Sequence, residues 1–200
     1  MNAPGTHPGT PTTTAVPQLW PWLRTPRRAP GWQLAAAAVL LGFAALVHLD
    51  LFLRTVRFQP ALSIALGFNL TVFVLAVALI AARVGQFGWI LGVGSTAGAA
   101  TAWMGTELFP QLAFMDPEGQ SWTGNPVLHL LTLHLTGTGN ATFCAEIAYL
   151  LLWAATTRTA PPAIDILRRI VYTLCAVLVA GFLVVLALGG GAGERHGNTG

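Results

Sequence analysis

The placement of a few charges constrains this chain more than anything else in it. Of 200 residues only 8% are charged, lysine is absent, and arginines punctuate long apolar runs. Charge that is excluded from runs of about 20 residues and left at their ends is the pattern of helices crossing a hydrocarbon core about 30 Å thick. With 54% of its residues hydrophobic, the chain holds more Leu, Val and Ala than a water-soluble core can hide. The expected fold is therefore all-α, a polytopic transmembrane helical bundle. Helix is the required form, because an open strand edge in lipid leaves backbone groups without partners. The net charge of +3 comes from arginines near span ends. No arginine run alternates with aromatics on a polar surface, so nothing points to nucleic acid.

Five runs read as spans: 32–53, 61–82, 87–109, 141–155 with some upstream residues, and 164–188. The fourth is short, which leaves open a four-span variant in which it only dips into the membrane. Pro60, Pro110 and the pair Pro161-Pro162 mark boundaries, where a missing N–H costs least. With the N-terminus inside, Arg24, Arg27, Arg28, Arg83, Arg158, Arg168 and Arg169 are cytoplasmic, against Arg54, Arg57 and Arg195 outside. That asymmetry favours an N-terminus in the cytoplasm and a C-terminus outside. Abundant Ala, Gly, Pro and Arg without Lys suggests a high-GC bacterial genome, hence a bacterial cytoplasmic membrane. Residues 1–30, rich in Pro and Thr, and the Gly-rich 189–200 are expected to be disordered tails around a helical domain at 31–188. Trp20 and Trp22, beside Arg24, Arg27 and Arg28, are placed to touch headgroups.

In the third run Gly94, Gly98, Ala102 and Gly105 share a helical face, with Gly88 and Gly92 also four apart. Such a seam permits close helix packing. Packing within the molecule is the simpler use, and a homodimer or a membrane partner through Gly94, Gly98 and Gly105 is the alternative. Cys144 and Cys175 fall in apolar runs without metal-ligand spacing and read as inert thiols, a disulfide being the minority alternative.

Ionisable residues inside a membrane are costly and mark candidate sites. Glu146 lies in the fourth run, with Thr142, Tyr149 and Trp153 on its face. It needs a cationic or hydrogen-bonding partner or a proton. That points to a proton or cation relay, to a ligand hook, or to structural glue between helices. His48 near the end of the first span, Asn69 in the second and Glu107 closing the third come from three helices at one leaflet. Together with Glu146 they are expected to line an outward-facing polar pocket. Asn125 and Pro126 can open a helix that Gly137-Thr138-Gly139-Asn140 then interrupts. It is either a surface helix or part of a broken span. His129 and His134, five apart and roughly 140° around a helix, do not make a chelating pair. Bis-histidine haem through His48 and His134 is a weak alternative, and no cofactor is expected.

The stretch from His48 to Asn69 resembles a group of small actinobacterial membrane proteins of unknown function, loosely similar to DoxX-like four-helix proteins. His48-Leu49, Arg57, Pro60 and Asn69 match the group's pattern, whereas Val56, Gln59 and Ser63 depart from it. With the Gly-rich third helix the likeness covers residues 35–110. It implies a helical architecture and marks His48, Arg57 and Asn69, but it transfers no reaction. The expectation is a non-enzymatic ligand-binding or accessory subunit with an outer pocket. A small transporter or proton-coupled carrier using Glu146 is the second reading, and a haem- or quinone-linked redox protein is the third.

Overall fold

The computed structural model describes residues 19–56, 60–108, 138–157 and 160–190. These form helices α1 (Leu19–Arg24), α2 (Gly31–Thr55), α3 (Pro60–Ala81), α4 (Phe87–Leu108), α5 (Thr138–Thr156) and α6 (Pro162–Gly190), with no strand among the described residues. Each of the five apolar runs is a helix, with ends displaced by a few residues at most. Pro60 and Pro162 open α3 and α6, where their missing N–H has no helical partner to lose. Among the described residues three segments are long and apolar enough to cross a membrane: Gly31–Leu53, Ser63–Ala81 and Pro162–Val184.

Large apolar side chains on the three long helices face outward: Val39, Leu46, Ile64, Phe68, Val177 and Leu183 are each more than half exposed. The interior mixes large apolar side chains, such as Leu41, Phe73, Trp89 and Leu150, with the small residues Ala37, Ala44 and Ala76 and the polar groups His48, Ser95, Thr96, Thr142 and Glu146. An apolar exterior around a core partly made of polar groups is compatible with a membrane protein, where small residues and interhelical hydrogen bonds hold helices together.

Helix α5 is the sheltered one. It packs against α2, α4 and α6, while α3 packs against α2 and α4. Phe143, Ile147, Tyr149, Leu150, Trp153 and Ala154 are all buried along it. At one end of α5, Trp103 of α4, Phe143 and Phe182 of α6 form a ring cluster with centroids 4.8–6.0 Å apart. Toward the other end, Tyr149 stacks on Trp89 of α4 at 6.2 Å and donates its hydroxyl to the Trp89 carbonyl at 3.0 Å. Glycine is required where these rings close in: a Cβ on Gly92 would collide with the Tyr149 ring, its Cζ 2.8 Å away.

The small-residue face of α4 divides accordingly. Gly88 and Gly92 do the packing within the molecule, Gly88 against Leu79 and Ile80 of α3 and Gly92 against Tyr149. Gly94, Gly98 and Gly105 have nothing within 4 Å of a Cβ, and Gly94 and Gly98 are exposed. The expected use of that face for packing within the molecule is therefore not found. Periodicity shows which residues share a face but not which face turns inward.

Residues 19–30, read above as part of a tail, are docked on the bundle. Leu19, Trp22 and Ala29 pack against the core, and the Leu23 carbonyl accepts the Gln86 N–H at 2.8 Å. Gly85, at φ +60°, lets the α3–α4 turn pass against the Leu23 carbonyl, which a Cβ would strike. Helix α5 begins at Thr138, so Thr138, Gly139 and Asn140 belong to its first turn rather than to a break. The proposed helix from Asn125, with His129 and His134, lies outside the described residues.

Candidate functional site

Two polar constructions stand out, one on α2–α4 and one on α5. In the first, His48 is set by its own helix: Nδ1 donates to the Ala44 carbonyl at 2.9 Å, one turn back. A carbonyl can only accept, so this bond fixes the proton on Nδ1 and leaves Nε2 as an acceptor. The Asn69 amide of α3 donates to that Nε2 at 3.2 Å. The Asn69 carbonyl oxygen in turn accepts from the Ser95 hydroxyl of α4. Phe73 meets the His48 ring edge-on at 5.1 Å. The result is a ladder, Ser95 to Asn69 to His48 to Ala44, in which every donor points the same way and three helices are tied together.

His48 and Asn69 are thus brought together and hydrogen-bond each other. Both ring nitrogens of His48 are occupied, so binding haem iron through either would break a hydrogen bond. Ser95 was not legible as a member of this group, because one serine in a Gly-rich helix carries no distinguishing signal. Arg57 lies outside the described residues, and so does the side chain of Glu107 in the last turn of α4.

The second construction is the stripe Thr142, Glu146, Tyr149, Trp153 and Thr157, all buried, along the inward face at the level of α5. Glu146 is 2% exposed, and its Oε1 has no hydrogen-bond partner among the described residues. Trp153 Nε1 is likewise buried without a partner. No hydrogen bond links Glu146 to the His48 ladder. Phe143 lies three residues before Glu146 and Tyr149 three after, about 4.5 Å along the axis each way. Along α5, Glu146 therefore falls between a member of each aromatic cluster. An ionised carboxylate in such a place costs about 2.5–3.5 kcal/mol even on the most lenient membrane scale. The site must supply a proton, a cation or a hydrogen-bonding ligand.

The stripe ends at an arginine from the N-terminal segment. Arg27 donates to the hydroxyls of Thr157, at 3.3 Å, and Thr156, and its guanidinium lies 4.2 Å over the Trp89 ring. Burial lowers its pKa from the ordinary arginine value, an effect that Tyr149 partly offsets. Arg168 reaches the same place, donating to the Thr157 carbonyl at 2.9 Å and pairing with Asp165. Both arginines therefore meet at the C-terminal end of α5, Arg168 on a backbone carbonyl and Arg27 on side-chain hydroxyls. Among the described residues no group of three or more His, Cys, Asp or Glu could hold a metal ion, and Cys144 and Cys175 are free thiols.

The fold and these two constructions describe an all-α protein with three membrane-length apolar helices and polar groups directed inward. Compared with protein-family models, curated proteins and solved structures, the chain matches none.

Proposed function

We propose that this chain is a five-span integral protein of a bacterial cytoplasmic membrane, N-terminus inside, and that it acts as a small carrier taking up a proton or cation at Glu146. One observation carries the reading: a buried glutamate, 2% exposed, whose Oε1 has no hydrogen-bond partner among the described residues. An ionisable group kept in such surroundings is costly to stability and is explained by binding something there. Helices α4 and α5 are the third and fourth crossings in this reading. At 22 and 19 residues they span about 33 and 28 Å at 1.5 Å per residue, close to the thickness of a hydrocarbon core. The likeness over residues 35–110 to small actinobacterial membrane proteins supports a helical membrane architecture and leaves the number of spans to the helices themselves. The test is flux into proteoliposomes under an imposed pH or cation gradient, followed with an entrapped dye. The wild-type protein is expected to dissipate the gradient faster than empty vesicles, and Glu146→Gln to abolish the difference. An unchanged flux in the variant, or no flux with any cation, sinks the reading.

A second reading rests on a separate observation, the exposed face at Gly94 and Gly98 with nothing within 4 Å of either. Here the protein is an accessory subunit or homodimer, with Gly94, Gly98 and Gly105 against a partner helix and His48, Asn69, Glu107 and Arg57 on the outer side. A Cβ added at Gly98 meets nothing within 4 Å among the described residues, so Gly98→Leu tests this face. It is expected to leave the monomer folded while removing a crosslinked dimer or partner band. Unchanged crosslinking would dismiss this seam.

A further inference from the structure

One end of the bundle gathers positive charge well beyond what its acids neutralise. Helix α1, the α3–α4 turn, the end of α5 and the start of α6 meet there through the Gln86–Leu23, Arg27–Thr157 and Arg168–Thr157 bonds. Among the described residues this end carries Arg24, Arg27, Arg28, Arg83, Arg168 and Arg169 against one acid, Asp165. Asp165 is already shared between Arg168, at 2.5 Å, and Arg169, at 3.3 Å. Arg27 is partly buried and has no carboxylate partner among the described residues; its contacts are two threonine hydroxyls and an indole face.

Two guanidinium groups on one residue, Thr157, repel each other. The α5 carbonyl end offsets only about half a charge. Arg83 adds to the imbalance at a backbone price. It occupies the left-handed position, at φ 54°, that closes α3, with Arg83 N–H on the Ile80 carbonyl and Val84 N–H on the Leu79 carbonyl, both at 3.0 Å. Glycine is the usual residue in that motif, and an L-residue there costs roughly 1 kcal/mol.

We propose that this end binds the phosphate of an anionic phospholipid headgroup, with Arg27 and Arg168 around Thr157 as its centre. A guanidinium presents five N–H donors in a planar fork that fits two oxygens of a phosphate. Partial burial strengthens the attraction relative to open water. The depth is that of a headgroup, because the membrane-length segments of α2 and α6 start at Gly31 and Pro162, and that of α3 ends at Ala81. Trp20 and Trp32, both largely exposed, flank the site, as interfacial aromatics do. The proposal does not depend on Glu146 or on any transport activity.

The experiment is thermal unfolding of the full-length, detergent-purified protein titrated with phosphatidylglycerol, phosphatidylcholine or inorganic phosphate. Phosphatidylglycerol is expected to raise Tm by several degrees in a saturable, salt-sensitive way, and phosphatidylcholine is expected not to. Most of the shift should vanish in Arg27→Gln and in Arg168→Gln. Equal shifts from both lipids overturn the proposal and need no variant to show it. So does a full phosphatidylglycerol shift in both variants. Inorganic phosphate reproducing the shift at the same concentration would assign the site to a soluble anion and overturn the lipid.

Discussion

His48 and Glu146 are both buried ionisable side chains on helices of one bundle, and their surroundings differ in a single respect. Each polar atom of the His48 ring has a partner, and the chain of bonds continues through Asn69 to Ser95 on a third helix. Glu146, enclosed as deeply, has an oxygen with none among the described residues. The first arrangement resembles the interhelical hydrogen bonding that holds membrane helices together. The second costs free energy that no hydrogen bond among the described residues offsets at Oε1, and the role proposed above for Glu146 rests on that contrast. Burial of an ionisable group is therefore a weak guide taken alone; its hydrogen-bond accounting adds the distinction.

Three substitutions strike this contrast, followed by reversible unfolding in detergent or bicelles. Gly92→Leu should have the largest effect. It drives a side chain into the Tyr149 ring and separates α4 from α5, costing about 3 kcal/mol or more. Asn69→Leu should destabilise by roughly 1–2 kcal/mol, since it leaves the Ser95 hydroxyl and His48 Nε2 without partners at once. Glu146→Leu should move the other way, by up to about 1 kcal/mol, because an apolar group of similar size replaces an unsatisfied one. If Asn69→Leu proves neutral or Glu146→Leu strongly destabilising, the division between the two regions collapses.

Much of the helical layout was legible beforehand, because apolar runs and prolines report directly on where lipid-facing helices begin and end. The face shared by Thr142, Glu146, Tyr149 and Trp153 followed from helical spacing and is buried throughout. The meeting of His48 with Asn69 followed from comparable depth on neighbouring spans. What escaped was anything set by the rotation of one helix against another. Ser95 and Gly98, three positions apart on α4, lie only about 60° from each other, yet Ser95 meets Asn69 and Gly98 is exposed. The docking of Arg27 on Thr156 and Thr157 joins residues about 130 positions apart, and no local pattern encodes it. Helix α1, six residues with an internal proline, has no periodicity to detect.

The two faces of α5 have a consequence for how such a chain can change over time. Its outer stripe, Ala141, Cys144, Ala148, Leu151 and Ala155, is exposed and wholly apolar, so a polar substitution there is judged by the surroundings of the bundle. On the enclosed stripe of Thr142, Glu146, Tyr149 and Trp153 a polar substitution is judged by its neighbours alone. New polar chemistry can be tried on the inner stripe while the outer one, like the exposed faces of α2, α3 and α6, stays apolar.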